Sequence, residues 1–342
     1  MKLSEKEIQK LTITNETSLN EIIQKITLND HKLLLVNRKN KLIGYITPLM
    51  LKIELQSFGL DYDTNAEKII AQYEDIFPDD NFSVKQLNEE YRILSKNDKI
   101  EVSIHRDSSL EVNHNIENAM VFCGGKGLRL GNLTNELPKP LLEINKKPIL
   151  HRLIDKLIDE GFSKVVLATS FKHHIIESYF YNLDLNIDIE YLYEETPLGT
   201  AGSIIRFFNE NEDEDLICLN GDVMVFDNLN EICNFHLNKA NIATFGYTNY
   251  KIQFPYGVVN EKDFKIDEKP LLSKKILSGI NVFNRGILNI ANSTPIDMNI
   301  LYENLISKSK KVSIFPFGDD WLDIGNKTDL TIADKYMKII EG

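Results

Sequence analysis

From residue 119 to residue 247, short apolar runs alternate with amphipathic helical patterns, and few folds accommodate that alternation. Residues 164–169, 187–193, 215–219 and 241–247 read as strands buried on both faces. Between them, 149–160, 173–181, 200–208 and 229–238 carry apolar residues at helical spacing, and Gly161 stands where a helix-ending glycine belongs. Strands that alternate with helices predict a mixed, largely parallel sheet covered by helices on both faces. In such sheets ligands bind beyond the carboxyl ends of the strands. Two features fall there: a glycine loop after Cys123 and the turn at Asp222.

The glycine loop reads Gly124-Gly-Lys-Gly-Leu-Arg-Leu130, and Pro138-Lys-Pro140 follows it. Glycines let the backbone turn its N–H groups inward, and Lys126, Arg129 and Lys139 add positive charge. This suits a polyanion such as a nucleoside triphosphate. It is not a P-loop, since G-x-x-x-x-G-K-[ST] does not occur in the chain. Nor is it a dinucleotide fingerprint, since Leu130 occupies the position of the third glycine.

The 342 residues suffice for two domains. A net charge of −12 disfavours nucleic acid and anionic membranes as partners, and it makes the local cluster of Lys126, Arg129, Lys139, Lys146 and Lys147 stand out. Cys123, Cys218 and Cys233 have no C-x-x-C spacing and read as buried small hydrophobes in a reducing compartment. The N-terminus lacks the apolar core of a signal peptide and no apolar run approaches a membrane span, so a cytoplasmic protein is expected. No H-x-x-x-H pair occurs; His173-His174 opens a helix and reads as surface or cap chemistry.

The polar run 113–118 is the expected domain boundary, with one domain at 1–112 and another at 118–342. In the first, a helix-like stretch at 19–26 precedes a strand at 32–37, a turn at 38–40, a second strand at 42–47 and a helix from Pro48. Gly44-x-x-Thr47 lies in that second strand. The pattern resembles one cystathionine-β-synthase-type (CBS) repeat, and 63–112 has the length of a second, degenerate copy without a clear G-x-x-T. Three residues after the threonine, where the family's ribose-binding aspartate is expected, stands Met50. Packing, oligomerisation or regulation without a nucleotide is therefore the expected role of this small α+β, CBS-like domain.

From about 119 to 337 the chain resembles the sugar-1-phosphate nucleotidylyltransferases. The resemblance rests on separated motifs in the family's order: the glycine loop, Pro138-Lys-Pro140, Pro197-Leu-Gly-Thr-Ala-Gly202, Asn220-Gly-Asp222, Pro255-Tyr-Gly257, Glu268-Lys-Pro270 and Trp321-Leu-Asp-Ile-Gly325. It implies a Rossmann-like α/β domain that joins a sugar 1-phosphate to a nucleoside triphosphate, giving a nucleotide-sugar and pyrophosphate. A phosphate monoester has a second pKa of about 6 and is largely dianionic at neutral pH, so no general base is needed. Catalysis is then positioning plus charge neutralisation.

The resemblance implies these roles. Gly124, Gly125, Lys126, Gly127 and Arg129 bind the triphosphate, Arg129 on the pyrophosphate side, and Lys139 bridges phosphates near the α-phosphorus. Gly199 and Thr200 belong to the nucleotide site. Asp222 and Asp323 hold Mg²⁺, a hard cation that takes one or two carboxylates with phosphate oxygens and water. Lys269 pairs with the sugar phosphate, Glu268 accepts from sugar hydroxyls, Gly257 and Gly279 admit the hexose, and Ser278 sits where the family varies. Leu128 replaces the threonine usual before the arginine.

Glu194 enters the segment that reads the base. Its carboxylate can accept together from guanine N1–H and N2–H₂, which favours GTP; in the alternative, Glu194 faces solvent and backbone groups read the base. Mannose, glucose, glucosamine and heptose 1-phosphates stay open, with glucosamine favoured because the fused arrangement resembles GDP-glucosamine-forming guanylyltransferases. Two competing classes are a non-catalytic nucleotide sensor and a cytidylyltransferase acting on an alcohol phosphate. Retention of Arg129, Lys139, Asp222, Lys269 and Asp323 favours an enzyme over the sensor, and Glu268-Lys269 with the Trp321–Gly325 motif favours a sugar phosphate as acceptor.

Overall fold

The computed structural model describes residues 2–29, 31–39, 41–58, 64–71, 81–86, 89–96, 99–106, 116–213, 215–260, 264–291, 293–308, 311–318 and 320–341. The chain divides into two compact units. One comprises Met1–Glu111, Lys251–Ser273 and Thr331–Gly342; the other comprises Val112–Tyr250 and Lys274–Leu330. The expected boundary run at 113–118 begins outside the described residues.

In the first unit, strands Thr12–Thr14, Leu34–Arg38 and Lys41–Ile46 form one small sheet, parallel in its first pair and antiparallel in its second. Helix Leu19–Leu28 lies between the first and second of these strands in sequence, and Pro48–Phe58 follows the third. Thr47 caps the second helix, its hydroxyl accepting from Met50 N–H at 3.3 Å. That capping accounts for a threonine immediately before Pro48, with no ligand required. Strands Asn81–Gln86, Glu89–Lys96 and Lys99–Arg106 make a separate antiparallel meander. Ile22, Ile26, Leu33, Leu35 and Ile46 are buried in this unit's core, and Ile339 of the C-terminal helix joins them.

The second unit is built on a seven-stranded sheet in the order 188–193, 164–169, 118–122, 215–220, 271–284, 243–253, 312–316. The first four strands run parallel, as the alternation predicts; Leu271–Asn284 then pairs antiparallel with Asp215–Asn220. Two further departures concern burial and length. Asp188–Tyr193 is an edge strand with only Leu192 buried, so it lacks the second covered flank that a double-buried strand needs. Ala243–Gln253 extends past the expected 247, and its far end is exposed at Tyr250 and Ile252.

Helices Ile149–Asp159, His173–Phe180, Gly202–Glu210 and Leu229–Lys239 fall where the spacing predicts. Gly161 adopts φ +85° and ends the first, with Phe162 N–H returning to Leu157 O at 3.0 Å. Glu160 beside it is buried and accepts from Leu229 N–H at 2.6 Å, so one helix's end caps the start of another. The three cysteines are buried and unpaired, and burial pushes each thiol up. Among the described residues no helix is long and apolar enough to cross a membrane.

Asp227, after the short strand Val223–Val225, accepts from Gly318 N–H at 2.9 Å. Burial first, and the like charge of Asp320 second, push its carboxyl up to about 6. The folded state thus holds this proton more tightly than the unfolded chain. Stability from this group is full below about pH 4 and is lost as pH rises through about 6. Asp227→Asn keeps an acceptor for Gly318 and removes the charge. It should stabilise the protein at pH 7.5 by on the order of 2 kcal/mol and leave stability at pH 4 unchanged, as read by thermal unfolding.

Candidate active site

The Asn118–Phe122 strand runs into Cys123, whose N–H donates to Ala168 O at 2.8 Å and so extends the sheet to the loop's first residue. The chain then turns through Gly124–Gly127. Gly127 has φ +63°, and a β-carbon there would lie 2.9 Å from Thr134 Cγ2 and 3.1 Å from Lys139 Cβ. Only glycine lets the loop close on the lysine segment. Thr134 holds the far side, its hydroxyl within reach of Gly127 O at 3.2 Å and Gly131 O at 3.1 Å. Lys172 donates to Asn135 O. Lys126, Leu128 and Arg129 are exposed.

Lys139 is buried, in the short turn Lys139–Leu141, and its Nζ forms an ion pair with Asp222 Oδ2. Asp222 sits on the turn between Asp215–Asn220 and Val223–Val225. Gly221 makes that turn compact: its β-carbon would lie 2.7 Å from Phe122 O. Val223–Val225 pairs antiparallel with Trp321–Asp323, Val223 opposite Asp323, and Ile324 N–H donates to Asp222 O at 3.0 Å. Two carboxylates about a hundred residues apart in sequence are thereby fixed side by side. Burial first, and then the charge of Asp222, push the Asp323 carboxyl up; Lys139 and Arg129 pull it back.

Arg129 Nη1 and Asp323 Oδ2 each lie 3.5 Å from where a Gly325 β-carbon would stand. Arg129, Lys139, Asp222 and Asp323 therefore converge at the carboxyl end of the parallel strands. Asp329 also borders this place and was not among the residues the motifs pointed to. Its Oδ2 accepts from Gly325 N–H at 2.9 Å and Asn326 N–H at 3.0 Å, while Asn326 Oδ1 accepts from Thr328 and Asp329 N–H. Asn326-x-x-Asp329 has the spacing of a reciprocal helix cap, a signal present in the sequence.

The base-reading segment is tied to different neighbours. Glu194 N–H donates to Thr169 O at 2.9 Å. Its carboxylate accepts from Leu198 N–H at 3.1 Å with one oxygen and from the Ser203 hydroxyl with the other. Gly199, at φ +80°, presses against the Ile296 backbone, where any β-carbon would collide. The Thr200 hydroxyl accepts from Met298 N–H at 2.7 Å, at the start of helix Met298–Lys308. Outside the loop, the half-buried His173 meets Tyr193 with ring centroids 4.2 Å apart and the rings tilted by 44°.

Ser278 is fully buried and its hydroxyl accepts from Ile280 N–H at 3.2 Å; its carbonyl accepts from Trp321 Nε1 at 2.7 Å. Gly279, at φ +75°, lies against Asn220, whose Nδ2 would be 2.6 Å from an added β-carbon. Gly257, Glu268 and Lys269 lie on the hairpin of the 251–273 segment, in the unit that also contains the N-terminal residues. Gly257 and Glu268 are neighbours there, Glu268 Oε2 standing 3.1 Å from an added Gly257 β-carbon. Lys269 adopts φ +48°.

The pair Asp222 and Asp323 suits a divalent metal such as Mg²⁺. Two oxygen donors that repel each other, one of them held above its usual range by burial first and by the other's charge second, are relieved by a hard cation that completes its shell with phosphate and water. The adjoining cations and glycine loop suit the phosphates themselves.

Residues 118–338 match the family model described as nucleotidyl transferase. The D-glycero-alpha-D-manno-heptose 1-phosphate guanylyltransferase of Aneurinibacillus thermoaerophilus is 30% identical over 229 residues, covering 64% of this chain and 98% of that enzyme. The mannose-1-phosphate guanyltransferase of Pichia angusta is 28% identical over 222 residues, and the match spans 61% of its length. In fold, the chain is similar to the crystal structure of HddC from Yersinia pseudotuberculosis, with a TM-score of 0.53 at 24% identity over 65% of this chain and all of that one. With a family match that starts at the Asn118–Phe122 strand of the seven-stranded sheet and runs into the C-terminal helix, the chain belongs to the nucleotidyl transferase family and is a nucleotidyltransferase.

Proposed function

We propose that the protein transfers GMP from GTP to a sugar 1-phosphate, releasing pyrophosphate and a GDP-sugar. The observation that carries this reading is the convergence of Arg129 and Lys139 on the Asp222–Asp323 pair at the end of the glycine loop. Gly124, Gly125, Lys126, Gly127 and Arg129 would hold the triphosphate, and Lys139 would leave Asp222 for the phosphates near the α-phosphorus. A sugar-phosphate oxygen then attacks in line, already ionised, so the residues position and neutralise without moving a proton. Asp222 and Asp323 would hold Mg²⁺, which supplies neutralisation of phosphate charge. Gly279, held at φ +75° against Asn220, would leave room for the ring. Ser278, turned into the protein, would shape that wall from behind.

The guanine preference is supported by the guanylyltransferase names of the relatives. Glu194 would serve it chiefly by holding the 194–203 loop, since both its oxygens already have partners there. Gly199 and Thr200 would contribute backbone to the same wall. Residues 1–112 would act in packing, oligomerisation or regulation.

The experiment is pyrophosphate release with Mg²⁺, crossing four nucleoside triphosphates against mannose, glucose, glucosamine and heptose 1-phosphates. GTP should be used at least ~10-fold better than thymidine or uridine triphosphate, a difference on the order of 1.4 kcal/mol. Tenfold preference for either of those two would sink the guanine reading and leave the transferase.

A further inference from the structure

We propose that Lys327 is a phosphate-contacting residue of the nucleotide site, meeting the same end of the triphosphate as Arg129. The inference rests on the triphosphate reading above and deepens it. Arg129 and Lys327 come from chain segments nearly two hundred residues apart, yet both side chains are exposed and Lys327 comes back to Gly131, two residues after Arg129. Gly131 closes that loop at φ +60°, ψ −130°, and the nearest atoms to an added β-carbon are Lys327 Cε and Nζ, both at 3.9 Å. Arg129 reaches toward Gly325, two residues before Lys327. The loop segment 129–131 and the stretch 325–327 thus meet twice, through Arg129 at Gly325 and through Lys327 at Gly131.

The placement runs against the helix's own preference. Lys327 is the first residue of the 15-residue helix Lys327–Glu341, where the helix dipole disfavours a cation by a few tenths of a kcal/mol or more. Asp329, the acidic group of that turn, spends one oxygen on Gly325 and Asn326 N–H. A second positive side chain on the Arg129 loop, at a position that favours anions, suits a multiply charged phosphate group. Lys139 and Asp222 lie beside the strand termini, and Arg129 reaches the same place as Asp323, at Gly325. The terminal phosphates of a triphosphate laid along the loop would then reach Arg129 and Lys327.

The test is calorimetric binding of magnesium pyrophosphate to the full-length protein and to Lys327→Ala and Lys327→Arg, with the KM for pyrophosphate in the reverse reaction. Lys327→Ala should weaken both by ~10-fold, Lys327→Arg should restore most of the loss, and the KM for the sugar 1-phosphate should not change. Equal pyrophosphate affinity in the wild type and Lys327→Ala, with matched thermal unfolding, overturns the proposal. The transferase reading fails on a separate result, namely no pyrophosphate release by the wild type from any nucleotide.

Discussion

Asp222→Asn should lower turnover by ~10³-fold or more while the protein stays folded. The substitution retains shape and leaves an oxygen to accept from Lys139, so the ion pair becomes a hydrogen bond and Lys139 keeps a partner. Asp222 is partly exposed on a turn, and the contact that fixes the turn, Ile324 N–H to Asp222 O, is backbone. What is lost is one negative charge of the pair facing the phosphates. Removing it also withdraws the second-largest influence that raises the Asp323 carboxyl, which should fall back toward its usual range. Steady-state pyrophosphate release and a thermal melt measure the two halves. A variant that kept a tenth of wild-type turnover would place the chemistry elsewhere.

Lys139→Met is expected to cost ~10²–10³-fold in turnover, for the complementary reason. Methionine fills the buried stem's volume, and Asp222 retains access to water, so the fold should survive. The charge change is what matters. Without the ammonium, Asp222 and Asp323 face each other with one cation fewer, and the Asp323 carboxyl should rise further. Residual activity that needs both carboxylates ionised would therefore require a higher pH than the wild type. A pH profile of turnover that left the acid limb unmoved would contradict the electrostatic account even if activity fell.

The strand–helix alternation was legible because a sheet covered on both faces demands continuous apolar runs, and strands 164–169 and 215–220 meet that demand. The same rule misjudged 188–193, whose apolar residues sit on an edge with one open flank; local composition does not reveal a strand's place in the sheet order. The glycine loop was legible for a different reason. Gly127 must adopt a left-handed conformation under a crowded neighbour, and few other residues can. Glu194 and Thr200 were harder to read. A carboxylate in a loop offers the same atoms to a ligand or to its own backbone, and only the closed loop shows Leu198 N–H and Ser203 in reach.

What the sequence by itself determined is the type of sheet, the glycine loop at a strand's carboxyl end and the set of charged residues available to a phosphate ligand. Those follow from periodicity and from backbone conformations open to few side chains, both local properties. Only the tertiary structure decided that Lys139 rests on Asp222, that Asp323 stands beside it through a two-stranded ribbon, and that Lys327 comes back to Gly131. These are contacts between segments separated by about eighty to two hundred residues. They depend on strand order and on packing at the sheet's end, and no short window of sequence carries that information.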